Sequence, residues 1–178
     1  MEETFVDHLY RRLSGFHWEY FKHWDRFTDV DLEIVTFPLW NVSGRLCGYQ
    51  AYNWKSNKKK RNDSKGRYWT YRTKESDSVF GLEFIDLFST EPLYVVEGIW
   101  DAISVLSAGY RCIAVLSNTP QNLKPWLRTL PCKTIALCDG DKAGKMLSRV
   151  CDDKIILPEG KDCNDMTIEG IKEILNGR

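Results

Sequence analysis

The chain has 178 residues, 43 % of them hydrophobic, and its 25 basic residues are balanced by 25 acidic ones. That length suits one compact domain, or two small subdomains sharing a core, without disulfide staples. No apolar run reaches the roughly 18 residues of a membrane span. Residues 1–12 carry early acids and no apolar stretch, so a secretory leader is not expected and the expected location is the cytoplasm.

In chain order, residues 1–30 have a helical, aromatic-rich pattern, and Ser14 or Gly15 could start a helix over 16–24. Residues 34–40 and 45–54 read as two strands of a hairpin turning at 41–44. Residues 55–66 are polar, basic and loop-like, 67–72 form a further strand, and 81–88 a short helix. From residue 93 the pattern changes. Short apolar runs at 93–96, 112–116, 134–138 and 154–157 alternate with helical stretches at 99–108, at 121–130 and from Ala143. Strands alternating with helices predict βαβ units and a parallel sheet covered on both faces. The expected division is 1–90, a small α+β subdomain, and 91–178, an α/β domain.

The six cysteines show no Cys-x-x-Cys pair and no zinc spacing, so they read as reduced, buried residues. The neutral total hides an asymmetry. Residues 45–74 hold ten Lys or Arg and one acid, Asp63. Such a strip is either a solvated loop or a surface for an anionic partner. It is interleaved with Tyr49, Tyr52, Trp54, Tyr68, Trp69 and Tyr71. Positive charge beside aromatic rings suits a single-stranded nucleic acid, which offers phosphates and stacking faces together. The same rings could equally be strand core.

Ligands of open α/β sheets bind beyond the carboxyl ends of the strands, and acids collect there. Glu97 ends the first apolar run. Asp139 and Asp141 end the third. Asp162 follows the fourth. Asp101 lies one helical turn after Glu97 and can point back to it. If the strands are neighbours, these carboxylates converge, and converging carboxylates repel unless a cation sits between them. Oxygen ligands suit Mg²⁺ or Mn²⁺. Gly140 would let Asp139 and Asp141 face one ion, and Gly98 would allow close approach beside Glu97. Taken singly, each piece has a plainer reading: a capped strand end, a turn, a loop acid.

The stretches VVEGIWDAISVLSAG, IALCDGDKAGKML and LPEGKDCNDM resemble the three signatures of Toprim domains. The stretches IVTFPLWNVSGRLCGYQAY, RYWTYRT and VFGL resemble the N-terminal part of the RNA-polymerase domain of bacterial or phage DNA primases. Together the resemblance covers about residues 30–166. It implies an α/β fold: a Toprim parallel-sheet, Rossmann-like domain preceded by a small α+β basic subdomain.

It implies a nucleotidyltransferase that makes short RNA primers from NTPs on a single-stranded DNA template. Two or more Mg²⁺ or Mn²⁺ ions would be held by Glu97, Asp139, Asp141 and Asp162. Glu97 would act as general base or indirect metal partner, and Asp101 would support the cluster. Arg45, Lys55, Lys58, Lys59, Lys60, Arg61, Arg67, Arg72 and Lys74 would grip DNA and NTPs. Lys142 and Lys161 would meet phosphates, or merely offset the acids.

Two departures stand out. Tyr52 and Asn164 occupy places where relatives often have Arg and Asp. No zinc module or helicase motif is present, so a replicative helicase or a separate template-recognition protein is an expected partner. If phage-encoded, the enzyme would work in the host cytoplasm. The alternatives are a Toprim-type metal-dependent nuclease and a non-catalytic nucleic-acid or replisome-binding module.

Overall fold

The computed structural model describes residues 3–13, 28–56, 65–73, 78–116, 120–138 and 146–177. Thr4 opens the first helix, α1 (Phe5–Arg12), through a capping box: its hydroxyl accepts from the Asp7 N–H, and the Asp7 carboxylate accepts from the Thr4 N–H. One stripe of α1, with Phe5, His8 and Leu9, is buried. The expected helix over 16–24 lies outside the described residues.

Five strands build an antiparallel sheet: β1 (Thr28–Asp29), β2 (Ile34–Asn41), β3 (Leu46–Asn53), β4 (Tyr68–Arg72) and β5 (Ser78–Val79). They run β1-β2-β3-β4, with β5 on the far end of β2. Residues 28–29, expected to be helical, are instead paired with Val35 and Ile34. Alternation explains the aromatic interleaving. Val35, Phe37, Leu39 and Tyr52 face inward and are buried. Tyr49, Trp69 and Tyr71 cluster on the opposite face, with ring centroids 5.6 to 6.4 Å apart.

The second sheet is parallel, in the order β7-β6-β8-β9: β6 (Leu93–Val96), β7 (Cys112–Ala114), β8 (Thr134–Cys138) and β9 (Asp153–Ile156). Every residue of β6 and β8 is buried, as continuous apolar runs covered on both faces require. The edge strand β9 carries Asp153 and Lys154, charges that blunt an edge. On one face of this sheet, Tyr94, Val96, Ile135 and Leu137 share a core with α1, with the inner face of the antiparallel sheet, and with two helices, α2 (Ile99–Ser107) and a C-terminal helix at Ile168–Asn176. The other face packs Leu93, Val95, Ile113 and Ala136 under Leu123 and Leu127. Paired N–H···O bonds between Phe80 and Ala114, 2.9 and 3.0 Å, join the two sheets.

Two further helix expectations change, and one helix was not expected at all. Residues 81–88 contain only a 3₁₀ turn, Leu82–Phe84. Residues 121–130 split into a 3₁₀ turn, Pro120–Leu123, and one α-turn, α3 (Lys124–Leu127). Pro125 has no N–H to give to the carbonyl of Gln121, so the α-helix cannot run back through it. The C-terminal helix, α4 (Ile168–Asn176), was not anticipated, although Thr167 caps it by accepting from the Gly170 N–H at 3.1 Å and Ile168, Ile171 and Leu175 repeat at helical spacing. Of the six cysteines, five are buried and none forms a disulfide among the described residues. Burial pushes the Cys112 thiol well above its ordinary pKa and that of Cys151 up to about 12, so neither is a ready thiolate.

Candidate acidic site at the strand ends

Because β6, β8 and β9 are neighbours, whatever follows each strand lies along one edge. Glu97 follows β6 and is half-buried. Asp162 lies beyond β9 and caps a 3₁₀ turn, Cys163–Asp165, by accepting from the Asp165 N–H at 2.9 Å. Asp139, Asp141 and Lys142 directly follow β8 but lie outside the described residues, as does Gly140. The convergence drawn from the sequence therefore has its strand order, while two of its five acids have no described position.

Asp101, in the first turn of α2, is turned inward by two contacts. Its Oδ1 accepts from the backbone N–H of Asn164 at 3.2 Å. Its Oδ2 lies over Gly98, where a Cβ would meet it at 2.7 Å. Gly98, expected to allow close approach beside Glu97, here leaves room for the Asp101 carboxylate. The Glu97 carbonyl accepts from the N–H of Leu116, a residue with φ of 51° in the left-handed region. The Leu116 carbonyl in turn accepts from Arg72 at 2.6 Å. Arg72, on the inner face of β4, thus holds a strained corner beside Glu97.

The acids offer oxygen donors, which suits a hard dication such as Mg²⁺ or Mn²⁺. Among the described residues, however, no group of three His, Cys, Asp or Glu side chains is close enough to hold an ion. Asp139 and Asp141, the other acids of the expected set, lie outside the described residues.

The basic residues separate by position. Arg45 is exposed beside the β2–β3 turn. Lys55 pairs with Glu33 at 2.7 Å. Arg67 donates to the carbonyl of Ser56 at 3.1 Å, and the Ser56 hydroxyl donates to the Lys65 carbonyl. These bonds close the neck of the basic loop. Lys58, Lys59, Lys60, Arg61 and Lys74 lie outside the described residues. Lys161 is exposed in the turn before Asp162.

A further group was missed. Arg12, at the end of α1, places its guanidinium 4.2 Å from the centre of the Trp100 ring and 5.8 Å from that of Tyr52. Both its Nε (3.1 Å) and an Nη donate to Asn164 Oδ1. Nothing in the local sequence links two residues so far apart in the chain. The only signal was that Trp100 stands beside Asp101. Tyr52 is fully buried and its hydroxyl bonds His8 Nε2 at 2.8 Å. Burial, helped by the charge of Arg12, holds the His8 pKa below its ordinary value.

Residues 94–167 match the family model described as Toprim-like. That match lies within the second half of the chain, which is similar to Toprim-like domains. Solved primase structures share its fold together with the sheet before it. One is the DnaG primase catalytic domain bound to ssDNA, with TM-score 0.62 and 19 % identity over 81 % of this chain. A second is the RNA polymerase domain of Mycobacterium tuberculosis primase DnaG with double-stranded DNA, with TM-score 0.62 and 20 % identity over 96 % of this chain and 63 % of that one. A third is the primase fragment of the bacteriophage T7 primase-helicase protein, with TM-score 0.60 and 16 % identity over 81 % of this chain and 62 % of that one. The chain spans about half of the first, 51 % of its length. No curated protein matches it in sequence. Among the described residues no helix is long and apolar enough to cross a membrane.

Proposed function

We propose that this Toprim-like chain is the catalytic domain of a DNA primase, joining ribonucleotides on a single-stranded DNA template. The observation that carries the reading is the meeting of two parts in one core. Three adjacent parallel strands lead into acids, and an antiparallel sheet packs beside them, with a stretch rich in Lys and Arg between its third and fourth strands in sequence. Primase catalytic domains share this fold over 81 and 96 % of the chain.

In the proposed reaction, the 3′-oxygen of one nucleotide bonds to the α-phosphorus of the next NTP, and pyrophosphate leaves with the cleaved oxygen. Glu97 takes the proton of the attacking hydroxyl. It follows β6 directly and is half-buried, at the strand end where a general base would have to stand. Asp101, held by the Asn164 N–H and by Gly98, keeps the first turn of α2 against that edge. Arg45, Lys55, Arg67, Lys161 and the basic loop hold template and triphosphate. When bound by Glu97, Asp139, Asp141 and Asp162, Mg²⁺ or Mn²⁺ would supply the positive charge that the transferring phosphate develops against.

The test combines the chain, single-stranded DNA, labelled NTPs and Mg²⁺ or Mn²⁺. Template-dependent oligomers, lost in Glu97→Gln with DNA affinity unchanged, are expected. Shortening of the template without NTPs would instead identify a nuclease. Neither product, with helicase and template-recognition partners supplied, would identify a binding module.

A further inference from the structure

The antiparallel sheet and the Toprim-like sheet are bridged at one point by a side chain from neither. Arg12 ends α1, and its guanidinium is slotted among Trp100, Tyr52 and Tyr68. Burial pushes the Tyr68 phenol up, against the opposing pull of Arg12 beside it. A planar cation stacked on an aromatic face has little rotational freedom, so its N–H groups point in a set direction. Here two of them converge on Asn164 Oδ1.

That contact sets the Asn164 amide, because its Nδ2 is then turned to the Ser104 hydroxyl at 3.3 Å. It also fixes the backbone at 164, whose N–H is the donor to Asp101 Oδ1 at 3.2 Å. Asn164 belongs to the 3₁₀ turn that Asp162 caps. An Asp at position 164 would still accept from Arg12, but it could not donate to Ser104 and would set a second carboxylate beside Asp101.

We propose that Arg12 is a positioning residue for the acidic edge: through Asn164 it holds the Asp162–Asp165 turn against Asp101 and so aims the Asp162 carboxylate. The inference rests on the primase reading given above. The role assigned to Arg12 is carried by its two hydrogen bonds to Asn164.

Arg12→Lys and Asn164→Ala are compared with wild type, singly and together, in the full chain. Arg12→Lys keeps the charge and the stem but loses the stack and the fork. Mn²⁺ affinity is followed by electron paramagnetic resonance, primer synthesis by kcat and KM, DNA affinity by anisotropy, and folding by Tm. Each single variant should weaken Mn²⁺ binding and lower kcat by about tenfold, the effect typical of losing a residue that orients a ligand. KM for NTP and DNA affinity should stay within about twofold, and the double variant should be no worse than either single one. Wild-type Mn²⁺ affinity and kcat in Arg12→Lys, with only Tm reduced, would make Arg12 a tether for α1 and overturn the proposal. A rise in KM alone would make it a substrate ligand and overturn it too. A wild-type chain that neither binds Mn²⁺ nor makes primers would defeat the primase reading itself, a different result from a normal wild type with indifferent variants.

Discussion

The carboxylate of Asp101 lies so close over Gly98 that a Cβ at residue 98 would sit 2.7 Å from its Oδ2. The obstructing atom is the end of a side chain, so it can give way without unfolding the chain. Gly98→Ala should therefore push Asp101 off the Asn164 N–H while costing only about 1 kcal/mol of stability. Displacing a positioned group by an ångström can cost on the order of 10²-fold in rate, so primer synthesis should fall steeply. Thermal unfolding and primer assays on one preparation check both halves. Full activity would mean that Asp101 has no part in the site.

This pair also shows what the sequence made legible. Glu-Gly-x-x-Asp set Asp101 one helical turn after Glu97, a local requirement, but the sequence put the close approach of Gly98 beside Glu97 and not under Asp101. The parallel sheet was legible for a similar reason, since apolar runs alternating with helical stretches call for βαβ units; the order of its strands was not, and entered only as a condition. The Arg12–Asn164 contact was not, because it depends on how α1 docks across the core, and no periodicity encodes a meeting of distant segments. The helix expected at 121–130 failed on a local rule, the missing N–H of Pro125, that the apolar pattern masked. The aromatic interleaving of the basic strip was ambiguous because strand alternation and stacking surfaces use the same residues. Tyr52 went to the core and Tyr71 to the surface.

A second close approach predicts a stability effect. A Cβ at Gly48 would sit 2.1 Å from the Tyr71 carbonyl oxygen and 2.9 Å from the Arg72 Cα, both backbone atoms of the paired strand. Neither can move without parting β3 from β4. Gly48→Ala should destabilise the chain by roughly 1–3 kcal/mol, as overpacking does, and should loosen the grip of Arg72 on Leu116. Chemical denaturation measures the loss. A variant as stable as wild type would show that the two strands are not in this register.

His8 should make stability depend on pH. The ring is buried between Tyr52 and Trp54, with centroids 5.8 and 5.0 Å away. Desolvation first, then the charge of Arg12, lowers its pKa from 6.5, while Glu3 pulls the other way. The unfolded chain thus binds the proton more readily than the folded one. The stabilisation is complete above the unfolded value and is lost as pH falls through the lower, folded one. Between pH 7.5 and 5.5, Tm should drop, and His8→Gln should flatten that slope. An equal slope in the variant would assign the dependence to the carboxylates instead.

The basic loop gives the last prediction. Its neck is closed within the chain: the Asn53 N–H donates to the Arg67 carbonyl, Arg67 to the Ser56 carbonyl, and the Ser56 hydroxyl to the Lys65 carbonyl. Lys58, Lys59, Lys60 and Arg61 stand between those anchors in sequence, so neutralising them to Gln leaves the neck bonds in place. If they hold template phosphates, binding of single-stranded DNA weakens, and the log–log salt dependence flattens by about 0.7 per lost contact. The Tm should not move. Arg67→Ala opens the neck instead, which should lower affinity with a smaller change in slope, since the charges of the loop remain. Affinities of the three proteins from 50 to 300 mM salt separate these effects. An unchanged slope in the quadruple variant would make the loop a solvated excursion and move the DNA surface to Arg45, Lys55 and the acidic edge.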